Sequence, residues 1–306
     1  MYLSITQCFS RTFGIGLLAV SMLWGFNAFQ AHAESLRVMS FNIRYGKAKD
    51  GENHWEKRKE LVVDTIKAFD PDIFGTQETL DFQRNYLDKH LSAWASSGVG
   101  RDDGKLQGEM TSIHFKKDRF QLLDQGQFWL SETPQVPGSK SWDSSLSRIC
   151  SWVKLHDRQS ESKRPLLIMN THFDHRGVQA RIESARLIRQ KAKALQDGCD
   201  VLLTGDFNAA VNSEPYLIMF QQDHGEPYFQ DTYAFANPNS DPAVEGTFTG
   251  FKAPATTGKR IDWIAAWGNF RILSAAIDRT MKDGRTPSDH YPVTAIVEQT
   301  PKKNSE

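Results

Sequence analysis

The 306 residues carry 37 Lys and Arg against 37 Asp and Glu, so the formal net charge is zero. That balance excludes a bulk electrostatic attraction to nucleic acid or anionic lipid, although it leaves room for a local basic patch. Three cysteines are too few for a disulfide scaffold or a thiolate zinc centre.

In chain order, Arg11 precedes an apolar run from Phe13 to Phe29, which is broken by Gly14, Gly16, Gly25 and Asn27 and followed by "AHA", Ala31 to Ala33. A basic residue, an apolar run and small residues at the end are the pattern of a signal peptide cut after Ala33. A membrane anchor is the alternative, but the run is short and glycine-broken for a stable span. The expectation is a secreted or periplasmic protein with no stable membrane insertion after cleavage. Removing the first 33 residues leaves 273, with 36 basic and 37 acidic side chains, enough for one large core or two modest ones. Cys150 and Cys199 remain, either as one disulfide or as two buried thiols.

"LRVMSFNI" reads as a strand, and Trp55, Val62, Ile66 and Phe69 recur at helical spacing up to the stop at Asp70-Pro71. "DIFGTQE" is a second strand. "TSIHF" and "RFQLL", separated by Lys116-Lys117-Asp118, read as a hairpin. "PLLIMNTHF" is a strand leading into a helix with Val178, Ile182, Ala185, Ile188, Ala192 and Leu195 on one face. Then follow "DVLLTGDF", a short helix near Tyr216 to Phe220, and strands at "GTFTGF", "RIDWIAAW", "FRILSAAI" and "YPVTAIV". Many strands, few helices and no internal boundary predict one α/β domain over 34–298, a two-sheet β-sandwich with helices outside, and a flexible tail at 299–306.

Polar residues fall at the strand ends. Asn42 closes the first strand, Glu78 the second, and Glu109 precedes the hairpin. His172 ends "IMNTH", Asp206 and Asn208 end "VLLTGDFN", Asp262 sits among apolar residues in "RIDWI", and Asp289-His290 opens the last strand. A carboxylate among apolar neighbours is costly unless it is paired or binds a cation, and ligand sites in α/β sheets gather at strand ends. Glu78, Asp206, Asp289, Asn42 and Asn208 offer hard oxygens suited to Mg²⁺, Mn²⁺ or Ca²⁺. With histidines able to donate to a phosphoryl oxygen, the set suits metal-assisted hydrolysis of a phosphoester.

Six motifs in this order, "MSFNIRYG", "GTQET", "NTH", "TGDFN", "RIDWI" and "SDHYPV", resemble the endonuclease/exonuclease/phosphatase superfamily, from Arg37 to Val297. The resemblance implies its four-layer, deoxyribonuclease-like sandwich and a divalent-metal-dependent phosphoesterase using Mg²⁺ or Mn²⁺. It implies that Glu78 is the main metal ligand, with Asn42 and Asp289 assisting. Asp206 would orient or deprotonate the attacking water, and Asn208 would steady water and phosphate. His290, held by Asp262, and His172, backed by Glu109, would face the scissile phosphate. Asn42, Arg44 and Arg148 would contact phosphate. "GRDDGKLQGE" and "FWLSETPQVPGSKSWDSSLSR" resemble a bacterial, exported subgroup.

Other readings of the same residues exist. Asp206 and Asn208 suit an Asx turn, Asp262 an ion pair with Arg260, and Arg44 and Arg148 a solvated face. His54 and His175 are assigned no role, nor are Trp129, Trp142 and Trp152. "THFDH" resembles a fragment of a zinc-hydrolase motif, but the further histidine ahead of it is missing and the fragment does not explain Glu78, "GDFN" or "SDH". A non-catalytic metal- or phosphate-binding module is the alternative from another class. A monomeric phosphodiesterase, with nucleic acid among its candidate substrates, is the first expectation, and a phosphomonoesterase of sugar or inositol phosphates is the second.

Overall fold

The computed structural model describes residues 1–2, 35–162, 164–221 and 228–301. The signal peptide expected at 1–33 therefore lies outside the described residues apart from its first two, as does 302–306 of the tail. No helix among the described residues is long and apolar enough to cross a membrane.

Among the described residues, twelve strands make up two sheets. They are β1 (Leu36–Asn42), β2 (Ile73–Thr79), β3 (Trp94–Ser97), β4 (Met110–Lys116), β5 (Phe120–Trp129) and β6 (Ile149–Asp157) in the first half of the chain. The second half supplies β7 (Leu166–His172), β8 (Asp200–Asp206), β9 (Gln230–Asp231), β10 (Asp262–Trp267), β11 (Phe270–Ile277) and β12 (Val293–Gln299). The first sheet has the order β11-β12-β1-β2-β4-β3 and the second β5-β6-β7-β8-β10-β9. The helices are α1 (Trp55–Phe69), α2 (Asp81–His90), α3 (Val178–Leu195), α4 (Glu214–Phe220) and α5 (Thr232–Ala236).

Side-chain alternation explains the layering. Along β1, Leu36 and Val38 enter a cluster shared with Leu166, Ile168 and Leu202 of the other sheet. Met39 and Phe41 point the other way, onto Trp55, Val62 and Ile66 of α1. On β8, Leu202 faces the first sheet while Val201 and Leu203 meet Ala185 and Ile188 of α3. Helix, sheet, sheet, helix is the observed order, as the deoxyribonuclease-like sandwich requires.

Towards one end of the inter-sheet layer, apolar contacts give way to a buried polar bridge. Gln77 Nε2 donates to Asn170 Oδ1 at 2.7 Å, Thr204 Oγ1 donates to the same oxygen at 3.0 Å, and Asn170 Nδ2 donates to the carbonyls of Thr76 and Ser112 at 2.9 Å. A Cβ on Gly75 would lie 2.2 Å from Thr204 Oγ1 and 2.6 Å from the Asn170 amide, so only glycine lets the sheets approach here. The asparagine of "NTH" is therefore a clamp between the sheets.

Three element expectations are corrected. "TSIHF" and "RFQLL" form no hairpin: β4 is already flanked by β2 and β3, so β5 crosses to the other sheet and pairs with β6. "GTFTGF" is no strand; it makes one isolated bridge, Phe248 to His290, before Gly250 and Phe251 take positive φ and end extended geometry. Val178, expected inward, is exposed at the start of α3. β12 also runs to Gln299, one residue into the segment expected as tail, and that side chain is buried, donating to Asp200 Oδ2 at 2.8 Å. Cys150 and Cys199 are free and buried.

One buried group makes the fold sensitive to acid. His114 stacks on Phe74 with ring centroids 4.3 Å apart, and burial, aided by Arg84, lowers its pKa from 6.5 to about 3. Between those values the unfolded chain binds a proton that the folded chain refuses. The stabilisation is complete above pH 6.5 and falls as pH drops towards 3. Urea denaturation should therefore show wild type losing about 1.4 kcal/mol per pH unit more than His114→Phe between pH ~6 and ~4. Parallel slopes would refute this role of His114.

Candidate active site

The parallel strands β1, β2, β7 and β8 end where the antiparallel strands β10 and β12 and the chain into β4 and β6 begin. That topology brings Asn42, Glu78, Glu109, Arg148, His172, Asp206, Asn208, Asp262, Asp289 and His290 to one edge of the sandwich. A cavity of about 420 Å³ opens there, and all of these except Asn42 and Asp262 line it, together with Arg44, Tyr45, Leu146, His175, Phe248 and Ile261.

Backbone irregularities aim three of the side chains. Glu78 has φ +58° within a β-bulge between Thr76 and Thr79, which turns it out of strand alternation. Its carboxylate accepts from Asn42 Nδ2 at 3.1 Å and from the Tyr45 amide at 2.7 Å. Arg44 and Asn208 also take positive φ, +63° and +46°. Such conformations are uncommon for residues other than glycine and cluster at functional sites. Arg58 of α1 clips the edge together: its buried guanidinium donates to the carbonyls of Ile43 and Pro287 at 2.7 and 3.0 Å and of Asn53 and Arg44 at 2.9 and 3.2 Å.

At the centre, Asn42 Nδ2 also donates to Asp206 Oδ2 at 3.0 Å, so one amide bridges Glu78 and Asp206. Asp206 Oδ1 accepts from the Asn208 amide at 2.9 Å, which is the Asx turn, while Phe207 packs beneath on Trp263. Turn and site are one structure. The Asn208 side chain donates to Phe173 O and His172 Nε2, both at 3.1 Å. This makes Nε2 an acceptor and leaves the proton on Nδ1.

The two histidines differ electrically. His290 Nδ1 bonds Asp262 Oδ2 at 2.9 Å, and its Nε2 lies 3.7 Å from Asp206 Oδ2. Burial opposes its charge, yet Asp262 and Asp206 hold its pKa well above 6.5. His172 is lowered well below 6.5 by burial, then by the Arg148 and Arg101 cations. Burial, then Asp262, raises Asp206 to about 7, and burial with Glu78 raises Asp289. A carboxylate titrating near neutrality suits proton transfer.

Some expected contacts are rearranged. Glu109 does not hydrogen-bond His172: Oε2 is 3.9 Å from Nδ1, because the planar fork of Arg101 holds both Glu109 oxygens at 2.8 and 3.0 Å. Arg44 reaches the cavity but is held by Asp50 at 2.9 and 3.0 Å, with Asp289 at 3.4 Å. Asp262 does not pair with Arg260, which binds Asp231 and Glu245. Arg148 is buried rather than a solvated face, with Nε 3.5 Å from Asp174 Oδ2, Nη1 without a hydrogen bond and Nη2 on His175 Nδ1 at 3.0 Å. His175, in "THFDH" just past β7, is assigned no role from the sequence, and Phe248 lies in "GTFTGF", which reads as an ordinary strand; the tertiary structure carries both to the cavity.

The donor set fits a hard divalent cation. The half-buried Glu78 presents its carboxylate beside the Asn42 amide, and Asp289, buried and with its pKa raised by burial and by Glu78, gains from a cation. Among the described residues, Asp206, Asp262 and His290 also bring ligand atoms within 4.8 Å of one another. The 2.9 Å hydrogen bond already joins two of that trio, which favours the oxygen-rich group of Glu78 and Asp289 for a hard ion.

A model of the Endonuclease/Exonuclease/phosphatase family matches residues 39–290. The chain belongs to this family. Its members include metal-dependent hydrolases of phosphate esters. A family member from Bacteroides vulgatus is 34% identical with a TM-score of 0.80, covering 87% of this chain and 100% of that one. A mannosyl-6-phosphatase of Bacteroides thetaiotaomicron is 34% identical with a TM-score of 0.76, covering 86% of this chain and 99% of that one. A probable RNA exonuclease of Saccharomyces cerevisiae is 26% identical over 175 residues, 53% of this chain and 34% of that protein. The chain spans less than two thirds of the length of each curated relative it matches.

Proposed function

We propose that the chain is an exported, Mg²⁺- or Mn²⁺-dependent phosphomonoesterase acting on a phosphorylated sugar. The observation that carries this reading is the cavity itself. Its volume of about 420 Å³ lies within the range of roughly 300–1,000 Å³ typical of small-molecule sites, with the titratable groups gathered at one place. The similarity to a mannosyl-6-phosphatase over nearly the whole of both chains supports it. The leader-like pattern at 1–33 supports export.

Glu78, Asp289 and Asn42 hold the metal, which when bound supplies positive charge to the phosphate oxygens. Asp206 accepts a proton from the attacking water, whose position Asn208 fixes, as the water oxygen bonds to phosphorus and the bond from phosphorus to the sugar oxygen breaks. The departing oxygen takes its proton from solvent. His290, kept protonated by Asp262, donates to a phosphoryl oxygen. Arg148 places Nη1, a buried donor without a hydrogen-bond partner, on the phosphate, while its Nε lies 3.5 Å from Asp174 Oδ2. His172 holds the Asn208 amide. Arg44 adds positive charge at the metal side of the cavity.

Hydrolysis of mannose 6-phosphate, inositol phosphates, sphingomyelin, DNA and RNA at fixed Mg²⁺ tests the reading. Phosphate release from the sugar phosphate is expected, with DNA and RNA left intact. Cleavage of DNA or RNA with the monoesters untouched would instead establish the phosphodiesterase reading, which the similarity to a probable RNA exonuclease supports.

A further inference from the structure

Two side chains on the cavity wall take no part in the chemistry above. Phe248 is 52% exposed, yet its loop is firmly held. The Thr249 amide donates to Asp289 O at 2.7 Å, the Tyr291 amide donates to Thr247 O at 2.8 Å, and Phe248 itself bridges to His290. Its ring meets the His290 ring edge-on at 5.1 Å and 62°. An aromatic side chain fixed beside a phosphate-facing histidine, with much of its surface left open, lacks the apolar partner its exposed surface calls for.

His175 supplies the complementary feature. Its Nδ1 lies 3.0 Å from Arg148 Nη2, and a guanidinium can only donate. Nδ1 is therefore the acceptor, and Nε2 carries the proton as a donor. The loop bearing His175 is rigid as well, because Asp174 accepts from Ser145 Oγ, the Leu146 amide and the Gly177 amide at 2.8, 3.1 and 2.7 Å. One cavity thus presents a flat apolar surface and a fixed donor from two separate segments.

We propose that Phe248 and His175 form the subsite for the leaving group, a pyranose ring, with the C–H face of the sugar on the Phe248 ring and a ring hydroxyl accepting from His175 Nε2–H. A pyranose has this mixed character, apolar on its C–H face and polar along its edge. A linear alcohol offers no face to stack. The assignment rests on the phosphomonoesterase reading and deepens it, naming the residues that select the ring.

The test compares kcat/KM for mannose 6-phosphate with kcat/KM for the ring-less glycerol 3-phosphate in wild type, Phe248→Ala, Phe248→Trp and His175→Ala. The ratio of the two should fall about tenfold in Phe248→Ala, mainly through KM of the sugar phosphate, and be kept in Phe248→Trp. It should fall severalfold in His175→Ala. An unchanged ratio in Phe248→Ala, with both substrates equally impaired, would mean that Phe248 only supports His290, and would overturn the subsite while leaving the phosphomonoesterase reading intact. If wild type cleaves bis(p-nitrophenyl) phosphate but neither monoester, the functional reading fails, and the subsite with it.

Discussion

Asp206→Asn should lower kcat by roughly 10³-fold or more, the upper part of the range for losing a proton-transfer group. The same variant should fold as well as wild type, or better. Asp206 is buried with its pKa raised from 3.8 to about 7, so the folded state binds a proton between those values more readily than the unfolded chain does. Stability from this group is complete below pH 3.8 and is lost as pH rises through about 7. A carboxamide keeps the shape and the bond from the Asn208 amide while carrying no charge. Its NH2 then meets Asn42 Nδ2, and that one lost bond, about 1 kcal/mol, is smaller than the cost of the buried charge removed. In metal-free buffer at pH 8, Asp206→Asn should therefore melt higher than wild type although it is inactive. Melting curves and single-turnover assays on one preparation would check both halves. Activity within tenfold of wild type would remove Asp206 from the chemistry, and a large loss of stability would contradict the cost assigned to its charge.

The second large effect concerns the metal. EDTA should abolish turnover, and Mg²⁺ or Mn²⁺ should restore it, because Glu78 and Asp289 bring two carboxylates to the cavity and the burial of Asp289 favours a cation beside it. Glu78→Gln should need a much higher metal concentration for half-maximal activity and lose about 10²-fold or more at fixed Mg²⁺. Binding should be visible without turnover. A ligand at a hundred times its Kd stabilises the folded state by about 2.7 kcal/mol, so Mg²⁺ should raise the melting temperature of wild type and do so less in Glu78→Gln. Equal stabilisation of both proteins, or full activity in EDTA, would displace the metal from Glu78.

Individual residues show where the sequence was legible. Met39 and Phe41 alternate with Val38 and Ser40 in β1, and this pattern alone places Asn42 on the inter-sheet face. The same logic carries Asp206 at the end of β8. Alternation failed at Glu78, because the bulge and the positive φ of that residue have no unambiguous mark in "GTQET". The hairpin read from "TSIHF" and "RFQLL" failed because a short polar turn looks the same whether the next strand stays in its sheet or crosses to the other.

The sequence by itself determined the family, the two-sheet class and the set of acids, amides and histidines at strand ends, since these rest on local periodicity and on residue chemistry. The tertiary structure alone decided that Arg101 takes Glu109 from His172, that Arg148 is buried with Nη1 lacking a hydrogen bond, and that Phe248 and His175 both line the cavity. Each of those pairings joins segments far apart in the chain, and competition for one partner is settled by geometry in three dimensions, which no local pattern of residues records.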